Sequence, residues 1–163
     1  AMKMVQTTHL RRDLFWLYLL AMRYWLMYVT RNPEARFYAE NIIRMGANVI
    51  NFSSQLPEPE QIYLRGYLSS VNNMIGLAYT ARGLESDDLF AKKIFTGTLN
   101  KIDNQNIPAR LHLAQNLLAA GDYKQATKQC ADILMLDPGN PTAQAIMEAA
   151  ARSAAKVPGG LGQ

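Results

Sequence analysis

Cysteine and histidine are scarce in this chain. One cysteine, Cys130, and two histidines, His9 and His112, occur in 163 residues. A single thiol excludes an intramolecular disulfide and leaves the compartment open between cytoplasm and periplasm, with membrane association an additional option. The two histidines stand far apart in sequence, so no Cys/His metal site and no cofactor are expected. Strand signals are weak as well: apolar residues recur at spacings of three and four, and Gly and Pro fall between the periodic blocks. Acidic residues are few in the first third. Residues 1–50 carry Lys3, Arg11, Arg12, Arg23, Arg31, Arg36 and Arg44 against Asp13, Glu34 and Glu40, and the rest of the chain is balanced, so the whole formal charge of +4 sits there. Such an excess suits an acidic partner or a membrane surface as well as a solvated basic face. Disorder is excluded by a hydrophobic fraction of 49%.

The chain also lacks a spanning apolar run. The longest candidate is "FWLYLLAMRYWLMYV", Phe15 to Val29, which is fifteen residues long and interrupted by Arg23. A membrane-crossing helix needs about 20 apolar residues and tolerates a central charge poorly. Trp16, Tyr18, Tyr24, Trp25 and Tyr28 are spread along the run rather than gathered at two interfacial belts. No small-residue cleavage site follows, which excludes a secretory h-region. Three readings stay open: a buried core helix, a surface for a partner or a second copy, and an interfacial membrane contact helped by the arginines. Helical projection places Leu10, Leu14, Leu17, Ala21, Tyr24 and Tyr28 on an inward face. Trp16, Leu19, Leu20, Met22 and Leu26 fall on the outward one, and Trp16, Leu19, Met22, Arg23 and Leu26 form the candidate N-terminal interface.

The periodicity predicts an all-α chain of about seven helices. The first runs from about Thr8 to Thr30, where "RNP" ends it, and Pro33 suits the first turn of the next. The second reaches about Phe52 and is broken by "SSQLPEPEQ". A third runs from near Glu58 to Gly83, with an interruption around Ser69-Ser70. A fourth covers about Asp87 to Ile102, capped by Ser86 or Asp87. Helices over Pro108–Ala120, Tyr123–Leu136 and Pro141–Ala155 complete the set, with connections short enough for antiparallel neighbours. Ala1-Met2 reads as an added residue before a start codon or truncation point, and "VPGGLGQ" as a loose tail.

The last hairpins repeat. In one block Arg110, Leu113, Ala114 and Leu117 are followed by Gly121-Asp122-Tyr123, then Ala126, Cys130, Ile133 and Asp137-Pro138. This pattern resembles the tetratricopeptide repeat. It has a large residue, a small one that allows close helix approach, a glycine turn, a second small residue and a closing proline. Upstream, Asn72, Ile75, Gly76, Tyr79 and Gly83 repeat the first helix, and Ala91 and Phe95 the second. The turn "GLESDD" is longer there, and Asp103 stands in the place of the closing proline. The resemblance covers about 69–140. Residues 141–155 follow as a capping helix with Gln144, Met147 and Ala151 inward. Over 8–56 the match is looser. Ile42, Met45, Gly46 and Val49 keep the first-helix spacing, and Ala21 and Trp25 precede Pro33 as expected, but Tyr28 stands where a small residue belongs. We read that segment as a divergent N-terminal helical hairpin that covers the open end of the repeats. The expected organisation is therefore 1–56 as an aromatic, basic hairpin, 57–155 as repeats with a capping helix, and 156–163 as a flexible tail, in an α-solenoid of antiparallel helix pairs.

No catalytic constellation stands out. Asp87-Asp88 and Glu58/Glu60 lie at helix starts, where they complement the helix dipole. Cys130 holds a core place of the repeat and reads as a buried, inert thiol. His112 sits on a first helix and reads as a groove or solvent residue. No nucleic-acid module is present, and the arginines are scattered, so no nucleic acid is expected as a partner. The resemblance implies a binding groove lined by the first helices, here Asn73, Leu77, Thr80, Leu111, Gln115 and Leu118, with Ala81 and Ala119 beside them. Repeat proteins that clamp a terminal carboxylate use basic residues where Asn73 and Leu111 stand, so that clamp is absent. A mixed apolar and amide groove suits a helix or an extended apolar segment instead. The implied function is a non-catalytic adaptor for another protein or peptide, of the kind used in bacterial envelope, secretion or pilus assemblies. The alternative is a membrane-peripheral subunit docking through its first helix.

Overall fold

The structure is a computed structural model that describes the backbone of residues 2–155 and the side chains of 13–155. His9, Leu10 and the tail expected at 156–163 fall outside these bounds. The described residues are 85% helical, in seven α-helices and no strand. They are α1 (Met2–Arg31), α2 (Ala39–Ser54), α3 (Glu58–Arg82), α4 (Asp87–Lys101), α5 (Ile107–Ala119), α6 (Tyr123–Leu136) and α7 (Pro141–Ala154). A 3₁₀ helix, Pro33–Tyr38, connects α1 to α2.

Boundaries follow local chemistry. α1 starts at Met2, ahead of the expected Thr8. The second helix is split, because Pro33 opens a 3₁₀ stretch before the α-helical register begins at Ala39. α3 is continuous through Ser69-Ser70: the Ser69 hydroxyl donates back to the Gly66 carbonyl at 2.8 Å, so the helix itself accommodates the serine. Gly83 and Gly121, expected as equivalent turns, both take positive φ, 66° and 79°. They end α3 and the α5 turn in a conformation that glycine adopts without a Cβ penalty.

Contacts group the chain into two compact units, Ala1–Phe90 and Ala91–Gln163. This division falls within α4 and not at the 56/57 boundary expected from the proline loop, because α3 packs extensively on α2 and also on α1. In the first unit, Phe15, Leu19, Met22 and Val29 of α1, Ile42 and Val49 of α2, and Leu64 and Ile75 of α3 are buried. At Gly46 the three helices meet closely. A methyl carbon placed there would lie 2.5 Å from two Ile75 side-chain carbons and 3.0 Å from the terminal methyl of Met22.

In the second unit α5, α6 and α7 pack on one another around Ala114, Cys130, Ile133, Ala143 and Ile146. Three helices here carry matching N-caps. Asn106, Asp122 and Asn140 accept from the backbone N–H of Ala109 (2.8 Å), Gln125 (3.2 Å) and Ala143 (3.0 Å). The two asparagines repeat a larger device: Asn106 donates to Asp103 at 3.2 Å, and Asn140 to Asp137 at 2.9 Å. Asp103 is thus the counterpart of Asp137, not of the closing proline, whose place falls to Asn104. The inward face of α7 also differs from expectation. Ala143, Ile146 and Ala150 are buried and Met147 is half-buried, while Gln144 and Ala151 are exposed. The Asn140 cap sets this phase by starting the helix with Ala143 against the core.

Candidate interaction surfaces

The repeat-like surface of the second unit is carried by α5. Arg110 anchors that helix: its guanidinium donates to Asp132 (2.8 Å) and Gln129 (3.1 Å) on α6, and to the Asn104 carbonyl (2.7 Å). Leu111 and Leu118 are half-buried against the core, and Gln115 between them is exposed. Three of the predicted groove residues therefore share one face of α5, an apolar–amide–apolar strip. The other three lie on α3 in the first unit and differ among themselves. Thr80 is exposed and Leu77 half-buried, but Asn73 is buried, within the buried run Asn73–Gly76. Asn73 is consequently no surface amide.

His112 is not a free groove residue. Its ring lies against Phe95 with centroids 5.5 Å apart, and Nδ1 is 3.2 Å from the Gln115 side-chain oxygen. Burial lowers its pKa, partly offset by the Gln115 contact. Cys130 is fully buried, and that burial pushes its thiol pKa up, as befits an inert core residue.

The first unit presents a different surface. Both faces of α1 are apolar, and the expected orientation is inverted. Leu19 (8% exposed) and Met22 (0%) are core residues, and Leu26 is half-buried. Leu14, Leu17, Tyr24 and Tyr28, expected inside, are exposed. The glycine notch at Gly46 accounts for the choice, since it admits Met22 and so turns that face inward. Of the predicted N-terminal interface, Trp16 and Arg23 remain at the surface. Trp16 is braced by Tyr67 of α3 in an edge-on contact at 4.6 Å. At the other end of α1, Trp25 lies 5.0 Å from the ring of Tyr38. A cleft of about 190 Å³, lined by Leu14, Phe15, Tyr18, Asn48, Val49 and Phe52, runs beside α1.

One polar cluster was not legible as such in the sequence. Asp87, expected to serve as a helix-start carboxylate, is buried and held by Arg82 through two bonds of 2.9 and 2.6 Å, and it accepts from the Leu84 N–H at 2.9 Å. Arg82 also pairs with Glu40 on α2 and lies over the Tyr79 ring at 5.1 Å. The Arg82 hydrogen bond is the main cause that lowers the Asp87 pKa, against the opposing effect of burial. This cluster clamps the α3–α4 turn to α2. Its partners occupy both carboxylate oxygens, which fits a structural role. No group of three His, Cys, Asp or Glu side chains gathers among the described residues.

Comparison with known families bears on the second unit. Residues 91–150 match the tetratricopeptide repeat. That segment carries tetratricopeptide-repeat sequence. The match begins within α4 and runs through α5 and α6 into α7. No curated protein and no solved structure matches the chain. Tetratricopeptide repeats mediate protein–protein interaction, and the α-solenoid class follows from the match together with the all-helical fold. No helix among the described residues is long and apolar enough to cross a membrane.

Proposed function

We propose that this chain, with its tetratricopeptide-repeat segment, is a non-catalytic adaptor that holds a segment of another protein against the face of α5. The observation that carries the reading is the strip formed by Leu111, Gln115 and Leu118: two half-buried leucines flanking an exposed amide, none of the three a cation. Such a strip offers apolar contact plus one hydrogen-bonding group, which suits an amphipathic helix or an extended apolar segment rather than a free carboxylate terminus. The assembly class implied by the resemblance, an envelope, secretion or pilus-type machine, names the extract from which a partner is to be captured.

A photo-cross-linking residue at Gln115 tests the reading, with the same residue at exposed Lys128 on α6 as control. We expect one partner segment to be captured from Gln115 and not from Lys128, and its capture to be lost in Leu118→Arg with helicity unchanged. Equal capture at both positions, or none, would sink the proposal.

A further inference from the structure

The outer face of α1 is an apolar strip closed by opposite charges, Asp13 at one end and Arg31 at the other. Asp13, Leu17, Leu20, Tyr24, Met27 and Arg31 follow one another at spacings of four, three, four, three and four, the seam of a heptad helix. All six are exposed, with Leu17 at 61%, Leu20 at 66%, Tyr24 at 61% and Met27 at 44%. Phe15, Leu19, Met22 and Val29 occupy heptad positions that ordinarily face solvent, yet here they are buried in the first unit. The helix is therefore inverted relative to a surface helix: its back is in the core, and its seam is left uncovered.

We propose that this seam pairs with the same seam of a second copy, antiparallel, about a two-fold axis near Met22. In an antiparallel pair, the two kinds of seam position face each other. A two-fold axis there places Leu17 opposite Met27, Leu20 opposite Tyr24, and Asp13 opposite Arg31, each layer made twice. The terminal charges decide the orientation. A parallel pair would set Asp13 against Asp13 and Arg31 against Arg31, whereas the antiparallel pair makes two opposite-charge contacts at its ends. The Asp13 carboxylate disfavours an anionic membrane as occupant. The apolar part of the seam is only about 15 Å long, and a carboxylate lies in the face itself. Beside the axis, Ala21 meets Ala21 on one flank and Arg23 meets Arg23 on the other. Arg23 is thus the contact that limits affinity. The inference is independent of the α5 strip.

Light scattering and site-directed disulfide exchange test it on the full chain. We expect a mass of twice 18.3 kDa at micromolar concentration. Leu20→Glu weakens the association about 100-fold, because two leucines per dimer lose their cover, and it leaves helicity unchanged. Arg23→Ala tightens association. Asp13→Arg weakens it, and Asp13→Arg with Arg31→Asp restores it. In a Cys130→Ala background, Leu17→Cys chains cross-link to Met27→Cys chains and not to one another. A single-chain mass up to about 0.1 mM, Leu17→Cys self-linking, or a monomer that sediments with anionic vesicles through Leu20 would each overturn the proposal.

Discussion

Replacing Gly46 by alanine sets two known effects against each other at one atom. In a helix interior an alanine is favoured over glycine by about 1 kcal/mol, because glycine loses more backbone entropy on folding. Gly66 shows that gain undisturbed: it lies within α3, and an added methyl there meets no heavy atom within 4 Å. At Gly46 the methyl would meet Cγ1 and Cδ1 of Ile75 at 2.5 Å and the Met22 methyl at 3.0 Å. Met22 can shift. Ile75 is buried and β-branched, with one strongly preferred rotamer in a helix, so relief has to come from separating α2 from α3. Overpacking of this kind costs about 1–3 kcal/mol. Gly46→Ala is therefore expected to be neutral to about 2 kcal/mol destabilising, and about 1–3 kcal/mol below Gly66→Ala. Urea unfolding followed by far-UV circular dichroism reads the difference. Adding Ile75→Ala removes both clashing carbons, so the double variant should lose at least about 1 kcal/mol less than the sum of the singles. Equal stabilisation by Gly46→Ala and Gly66→Ala would refute the close meeting of α1, α2 and α3 at this residue, and with it the account of why Met22 faces inward.

The Asp87–Arg82 pair gives a second test. Asp87→Ala leaves Arg82 without its main partner and is expected to cost about 3 kcal/mol, the low end for a broken buried pair because Arg82 is partly solvated. Since the folded-state pKa of Asp87 is lowered, its contribution is fully present above the ordinary carboxylate range and is lost as pH falls through the lower folded value. The wild-type melting temperature should therefore drop more steeply on acidification than that of Asp87→Asn, and parallel curves would exclude the pair as a source of stability. A third test concerns the repeated turn: Asn106→Ala and Asn140→Ala should each lower stability by about 1 kcal/mol, as caps do. The Asn140 variant should also loosen amide protection at the start of α7. Unchanged hydrogen exchange there would show that the Asp137–Asn140 device does not set the phase of that helix.

Much of the second unit was legible because its determinants are local. Gly121 ends the α5 turn, Asn140 and Pro141 start α7, and Ala114 and Ala126 mark where two helices approach; each acts within a few residues of itself. Reading α7 one position out of phase followed from carrying the repeat spacing into a helix whose cap fixes a different inward side. Asp87 was misread for a related reason. A carboxylate at a helix start is ordinarily a surface feature, and only Arg82, Leu84 and Glu40 acting together bring it inside.

The sequence by itself determined that the chain is helical, where most helices turn, and that its second half is built of repeats, because backbone preference, capping and short-range periodicity are written in neighbouring residues. It also carried the heptad spacing of Asp13, Leu17, Leu20, Tyr24, Met27 and Arg31. Only the tertiary structure decided which side of α1 that spacing occupies. Hydropathy is nearly the same all round that helix, so the choice fell to shape: the absence of a side chain at Gly46 admits Met22 and Ile75, and the opposite face is left outward.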